Sequence, residues 1–323
     1  MRSGGFIGII LAQLALTALP ATAQPFPTKP VRLILPTAAG SVTDVAVRML
    51  AQELSVRWGQ PVLVINKAGA NGAISTDVCA KGEPDGHTLC VVSQDSMSYN
   101  VFTMPNLSYD PERDLKPVAN MFIVIEGLIA KQALPVKTFA DFRALAVAQS
   151  GKLDFGTMGP RTLTDAFRQW LGETWHTQLV GIPYKGGGEI VAALLGGTID
   201  VARIGVGNLA GQLDESGLKV LAIRSASRSP LLPDVPTMDE LGLAPIPGGR
   251  PWFGIVAPAG TPDAIVARIN ADMAQVFQQQ KIVDFMRRQF LEPAVRPPAE
   301  FADFLKDDRA RARQMVATYL KEP

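Results

Sequence analysis

Pro36-Thr37-Ala38-Ala39-Gly40-Ser41-Val42-Thr43-Asp44 follows an apolar run, Val31-Arg32-Leu33-Ile34-Leu35, and precedes a segment with Val47, Leu50, Leu54 and Trp58 on one helical face. A strand, a loop of small residues and an amphipathic helix therefore follow one another. Such a junction aims backbone N–H groups and the positive end of a helix at one spot, which suits an anion. The loop holds no lysine and no histidine, so it reads as a binding cradle rather than a catalytic one. Taken alone the signal is weak, since most short junctions between strand and helix are only turns.

The same alternation runs on from there. Pro61-Val62-Leu63-Val64-Ile65-Asn66 reads as a strand, then come a Gly69–Gly72 turn, a helix through Lys81, a Pro84-Asp85-Gly86 turn and a strand at Thr88–Val92. Further on, helices are expected at Asp141–Gln149, Thr162–Trp175 and Glu189–Leu195. Extended segments are expected at Leu153–Phe155, Val180–Tyr184, Ile199–Ile204, Val220–Ile223 and Trp252–Ala257, and long amphipathic helices follow Pro262 and Pro298. Alternating β and α over this length predicts an α/β protein with parallel sheets. Three later junctions repeat the first: Gly69–Ala73, Gly156–Thr162 and Pro183–Gly188. In open α/β sheets ligands bind beyond the carboxyl ends of strands, so cradles from two lobes can converge on one cleft.

Residues 1–23 carry Arg2, an apolar run from Phe6 to Leu19, and Ala21-Thr22-Ala23. That is the layout of a secretory signal peptide cleaved before Gln24; the apolar core is too short to span a bilayer and Gln13 interrupts it. Removing it leaves 300 of the 323 residues, with 30 basic and 30 acidic side chains. A balanced charge argues against a nucleic-acid partner, and the length favours two lobes over one core. Cys79, on an expected helix, and Cys90, on the next strand, either pair in an oxidising compartment or stay as two buried thiols. No metal or cofactor is called for.

Catalytic patterns are missing. His87 and His176 are the two histidines and both read as surface residues; there is no nucleophile elbow, no paired-histidine zinc motif and no Walker loop. Tyr184-Lys185-Gly186-Gly187-Gly188 lacks the spacing of a phosphate loop, and Gly205–Gly211 misses the dinucleotide spacing. This balance favours binding over catalysis.

Several blocks resemble a known family. Phe26-Pro27-Thr28-Lys29-Pro30-Val31-Arg32, Gly59-Gln60-Pro61-Val62, Lys67–Gly72, Pro84–Leu89, Tyr109-Asp110-Pro111 with Asp114–Val118, Ile182–Gly186, Leu232–Thr237 and Trp252–Gly254 with Ala257–Pro262 occur in order along the mature chain. Together they resemble the substrate-binding proteins of tripartite tricarboxylate transporters, the Bug/TctC family. The resemblance implies a type II-like, flytrap periplasmic binding protein. It would have two α/β lobes with a mainly parallel sheet in each, residues 24–125 plus 250–323 forming lobe 1 and 126–249 lobe 2. It implies a monomer that holds a small carboxylate and passes it to membrane transporter subunits or to a sensor protein; an exported enzyme on the same fold is the alternative.

By position, the resemblance assigns ligand contacts to Ala38, Gly40 and Thr43 in the first loop, Ser93 and Ser96 after the third strand, Thr157, Gly159 and Thr162 in lobe 2, and Tyr184 and Gly186 in the third cradle. Thr37, Ala39, Ser41 and Val42 depart from the family's first loop. Arg161 stands where the family places glycine; it either forks onto a distal carboxylate or lies at a solvent-facing rim. Asp95 enters a segment that is usually uncharged, and either faces water or meets an amino or hydroxyl group. Arg203-Ile204-Gly205 replaces a family motif containing an acid, so that acid has no counterpart here.

Overall fold

A computed structural model describes residues 26–319, other than 210–212, 214, 216, 244, 245 and 247. The expected signal peptide and its cleavage point before Gln24 lie outside the described residues. In chain order the elements are β1 (Val31–Leu35), α1 (Val42–Trp58), β2 (Val62–Asn66), α2 (Ala73–Ala80), β3 (Thr88–Ser93), α3 (Asn100–Thr103), β4 (Leu115–Val124), β5 (Glu126–Ala130), α4 (Phe139–Ala148), β6 (Asp154–Thr157), α5 (Leu163–Trp175), β7 (Val180–Pro183), α6 (Gly187–Leu195), β8 (Val201–Gly205), β9 (Lys219–Arg224), β10 (Trp252–Pro258), α7 (Asp263–Phe277), α8 (Gln280–Arg288), β11 (Leu291–Pro293) and α9 (Pro298–Tyr319). Short 3-10 turns lie at Ala70–Gly72 and Val206–Leu209, and a π-helical turn at Asp95–Tyr99.

Local chemistry sets these boundaries. Helix α1 starts where Ser41 Oγ accepts the Asp44 N–H, and stops at Gly59, whose φ of 62° suits a left-handed cap. Its Val47, Leu50, Leu54 and Trp58 are buried, as the spacing predicted. Helix α4 opens with a reciprocal capping box between Thr138 and Asp141.

The strands form two sheets, β11-β4-β10-β3-β1-β2 and β7-β6-β8-β5-β9. Each has a core on both faces. Helices α1 and α7 cover one side of the first sheet, and Trp252, Phe301 and Leu305 the other; Phe142, Phe167 and Trp175 pack on one face of the second sheet, with Ile190 and Leu194 on the opposite face. The two-lobe α/β architecture is therefore present, but both sheets are mixed rather than mainly parallel. β1 is parallel to β2 and β3, and β6 to β7 and β8, whereas β10, β4, β11, β5 and β9 pair antiparallel. Parallel neighbours need a helical crossover. β5 enters the second sheet straight from β4 through Ile125, and β10 returns to the first sheet from the other lobe, so neither has one.

Cys79 on α2 and Cys90 on β3 form a disulfide with Cα atoms 5.9 Å apart, which decides the pairing left open by the sequence. His87 is half-buried rather than a surface residue: its Nε2 accepts the Thr28 N–H at 3.3 Å, and Phe26 packs on its ring. His176 is exposed at the end of α5, as expected.

Candidate functional site

Three loops of the first lobe converge beyond the carboxyl ends of β1, β2 and β3. Gly72 is the point where they meet. Its φ is +80°, and an added Cβ would lie 3.3 Å from Pro36 Cβ, 3.3 Å from Ser96 Cβ and 3.7 Å from Ser93 Oγ. Only a residue without a side chain lets the backbone approach both neighbours in this conformation. Ala38 and Gly40 are exposed at the loop tip, while Thr43 is buried in the first turn of α1. Ser93 is half-buried. Ser96 is fully buried, and its hydroxyl serves the turn itself, accepting the Ser93 N–H at 3.1 Å and donating to Ser93 O at 3.2 Å.

In the second lobe, β6, β7 and β8 end at one edge. Thr157 Oγ1 accepts the Gly159 N–H, and Thr162, the N-cap of α5, donates to Gly159 O at 2.7 Å and accepts the Asp165 N–H. Thr157, Gly159 and Thr162 are thereby buried as one turn. Tyr184 is half-buried, and its N–H donates to Thr157 O at 2.9 Å, which ties the third cradle to the second. Gly186 caps α6, and the next glycine lies against the Asn208 amide beyond β8. Arg161 is exposed, with its backbone in the left-handed region at φ 60°.

Helices α1 and α5 share a design. Each has a buried aspartate at the third position of its first turn, answered by an arginine about one turn on. Asp44 accepts from Arg48 Nε at 3.0 Å and Asp165 from Arg168 Nε at 2.8 Å. Asp44 also takes the Gly40 N–H at 2.9 Å and Asn66 Nδ2 at 2.8 Å. Burial works against its charge, but the bonds from Arg48, Asn66 and Gly40 outweigh it and hold the carboxyl below its ordinary value. Gly40 therefore spends its N–H within the loop, and the N–H groups left without intrahelical acceptors are those of the first turn.

The two sets of loops face each other. Gly207, in the turn after β8, is so close to the first lobe that an added Cβ would lie 2.7 Å from Val42 Cγ2 and 2.2 Å from the Gln289 carbonyl oxygen. Val42, one of the first-loop departures, thus gives the first lobe its footing on the second. Around the crossing, Ile125, Val206, Ile223 and Phe290 pack together, and Tyr99 and Leu163 meet beside α9.

Sequence reasoning missed a charged group beneath these loops. Glu126, Arg203 and Arg224 share one face at the same end of the second sheet. Arg203 is fully buried, donates Nε to Glu126 Oε2 at 2.7 Å and stacks on Phe167 with its guanidinium carbon 4.7 Å from the ring centre. The available signal was a lone arginine inside the apolar run Val201-Ala202-Arg203-Ile204. A cavity of about 320 Å³ is lined by Arg224, Ser225, Asp239 and Arg250, and so adjoins this charged group. Its arginines are already answered: Asp239 lies near Arg224, and Arg250 donates to Glu292.

Two α/β lobes with helix N-termini and strand ends facing across a seam define the class of two-lobed binding proteins. Residues 46–319 match the model of the tripartite tricarboxylate transporter family receptor, and the chain belongs to this family. It is 33% identical to the protein BugT of Bordetella pertussis over 310 residues, covering 94% of this chain and 93% of that one. Among solved structures it is similar to R. palustris Rpa4515 with adipate, at a TM-score of 0.85 and 26% identity, covering 91% of this chain and 98% of that one. MatC from Rhodopseudomonas palustris with bound malate is similar at a TM-score of 0.79 and 29% identity, covering 90% of this chain and 100% of the other. Members of the family are periplasmic solute-binding receptors.

Proposed function

We propose that this chain is an exported periplasmic receptor that captures a small carboxylate between its lobes and delivers it to the membrane subunits of a tripartite tricarboxylate-type transporter. The observation that supports the reading is the close approach of Val42, in the first turn of α1, to Gly207, in the turn after β8 of the second sheet. A carboxylate there is held by first-turn N–H groups and helix dipoles, with no buried cation needed at the primary site. Thr43 and Thr162 mark the two helix ends; Ala38, Gly40, Ser93, Thr157, Gly159, Tyr184 and Gly186 shape the walls; Arg161 stands at the rim. Lobe 1 comprises the mature chain to residue 125 and from 250 onward, and lobe 2 residues 126–249. The receptor works as a monomer and performs no chemistry on its ligand.

The test is a thermal-shift and calorimetry panel of adipate, malate, citrate and simple monocarboxylates on wild type and Thr162→Asp. One or more carboxylates should stabilise the wild type without turnover. An aspartate at the α5 N-terminus should weaken that carboxylate at least tenfold, about 1.4 kcal/mol. Stabilisation by no carboxylate overturns the function, and an unchanged affinity in Thr162→Asp overturns the placement of α5 at the site.

A further inference from the structure

The cavity beside Arg224 lies at the end of β9, an edge strand separated from β8 by β5, and none of the residues assigned to the cradles lines it. Its inner wall is built from buried side chains: Arg224 is 8% exposed, Ser225 4% and Met238 1%. Ile246 and Arg250 are half-buried beside them, and Asp239 is exposed. Two guanidiniums, one carboxylate and an apolar surface therefore share one space of about 320 Å³, at the lower end of the range for small-molecule sites.

The protein matches these charges only in part. Glu126 acts on Arg224 but is already engaged by Arg203, whose Nε donates to it at 2.7 Å. Arg203 is fully buried, and its Nη1 has no hydrogen-bond partner among the described residues. Burial, then the charge of Arg203, pushes Arg224 down to about 9, against the opposing pull of Glu126, Tyr99 and Asp239. Arg224 Nη2 donates to Ile246 O at 3.1 Å, which fixes the guanidinium in the cavity wall. Arg250 reaches Glu292, on β11 of the first sheet, through Nη1. Among the described residues its other guanidinium N–H groups make no hydrogen bond, and the Asp239 carboxylate accepts none.

We propose that this cavity is a second binding site, for a small zwitterion: an amino carboxylate with a short aliphatic body. Its carboxylate bridges Arg224 and Arg250, each guanidinium donating to one oxygen. Its ammonium meets Asp239, and its aliphatic part covers Met238 and Ile246. A bare carboxylate gains less, because it brings negative charge toward Asp239 with nothing to answer it. A bare ammonium gains least, because two arginines repel it. The site shares no residue with the cradles, so it and the receptor reading stand or fall separately.

The experiment uses the mature protein carrying ¹³C at its methionine methyl groups, followed by NMR. Met238 reports the cavity, and Met158, next to Thr157, reports the cradle of the second lobe. Their signals are assigned with Met238→Leu and Met158→Leu. The probes are L-valine, isovalerate, which lacks the ammonium, and isobutylamine, which lacks the carboxylate. L-valine should shift the Met238 signal saturably. Isovalerate should bind about threefold or more weakly, the scale of one exposed charge pair, and isobutylamine about tenfold or more weakly. Arg250→Gln keeps the buried Arg224 in place and should weaken L-valine about tenfold or more. Asp239→Asn should bring L-valine and isovalerate to equal affinity. The proposal is overturned if L-valine leaves Met238 unmoved, if wild type does not prefer it to isovalerate, or if Arg250→Gln binds it as wild type does. A shift at Met158 without one at Met238 overturns it too, by placing the amino acid in the cradle.

Discussion

Arg161 shows how position alone limits what a residue can contribute. Its side chain is exposed and its backbone is held at φ 60°, where a non-glycine residue is strained. An exposed guanidinium adds about 0.2–1 kcal/mol to a charge pair. Arg161→Ala should therefore weaken a dicarboxylate by no more than about fivefold and leave a monocarboxylate of the same shape unchanged, as read by calorimetry. Arg161→Gly should lose the same affinity yet raise stability by roughly 0.5–1 kcal/mol, because the strain goes with the side chain. Asp44 is the opposite case: buried, with three donors on one carboxylate. Asp44→Asn replaces charge-assisted bonds with neutral ones and should cost about 1.5–3 kcal/mol in urea unfolding at pH 7. Since its carboxyl is held below the ordinary 3.8, that contribution is present above 3.8 and disappears as pH falls through the lowered value. The gap between wild type and variant should close at low pH; a constant gap would place the stabilisation elsewhere.

At the scale of elements, the Cys79–Cys90 disulfide ties α2 to β3 across a sequence separation of 11. Closing so short a loop restrains the unfolded chain only modestly, and replacing both cysteines with serine should cost about 2–3 kcal/mol, measured as a shift in the urea midpoint. The βαβ portions were legible because their signals are local. Alternating apolar runs, the Ser41 cap and the turn glycines each report within a few residues. The segment Leu115–Ala130 was not legible as two strands, because one apolar run serves two sheets in succession and the break at Ile125 carries no turn residue. The Asp95–Tyr99 turn was hidden for a similar reason: its polar residues are buried by α9, some 200 positions later. Of the candidate site, the strand-to-helix cradles could be read from small residues at junctions. The Glu126–Arg203 pair could not, since its partners lie 77 residues apart and only strand register brings them together.

For the whole molecule, the fit of one lobe on the other turns on a single missing side chain. Gly207 does not need glycine for its backbone angles, since its φ is not among the positive ones. It needs glycine for space, because a Cβ would sit 2.2 Å from the Gln289 carbonyl and 2.7 Å from Val42 Cγ2. The valine methyl can turn aside, but a backbone carbonyl on a packed segment cannot. Gly207→Ala should therefore push the lobes apart and leave each lobe's own core, built on a separate sheet, intact. The expected outcome is a larger radius of gyration in solution scattering and carboxylate affinity reduced by tenfold or more, with far-UV circular dichroism unchanged. The further change Val42→Gly on that background should recover little, because it removes the softer of the two collisions. Full recovery would mean that Val42, rather than the Gln289 backbone, sets the distance between the lobes. An unchanged radius with reduced affinity would mean that Gly207 acts at the ligand and not on closure.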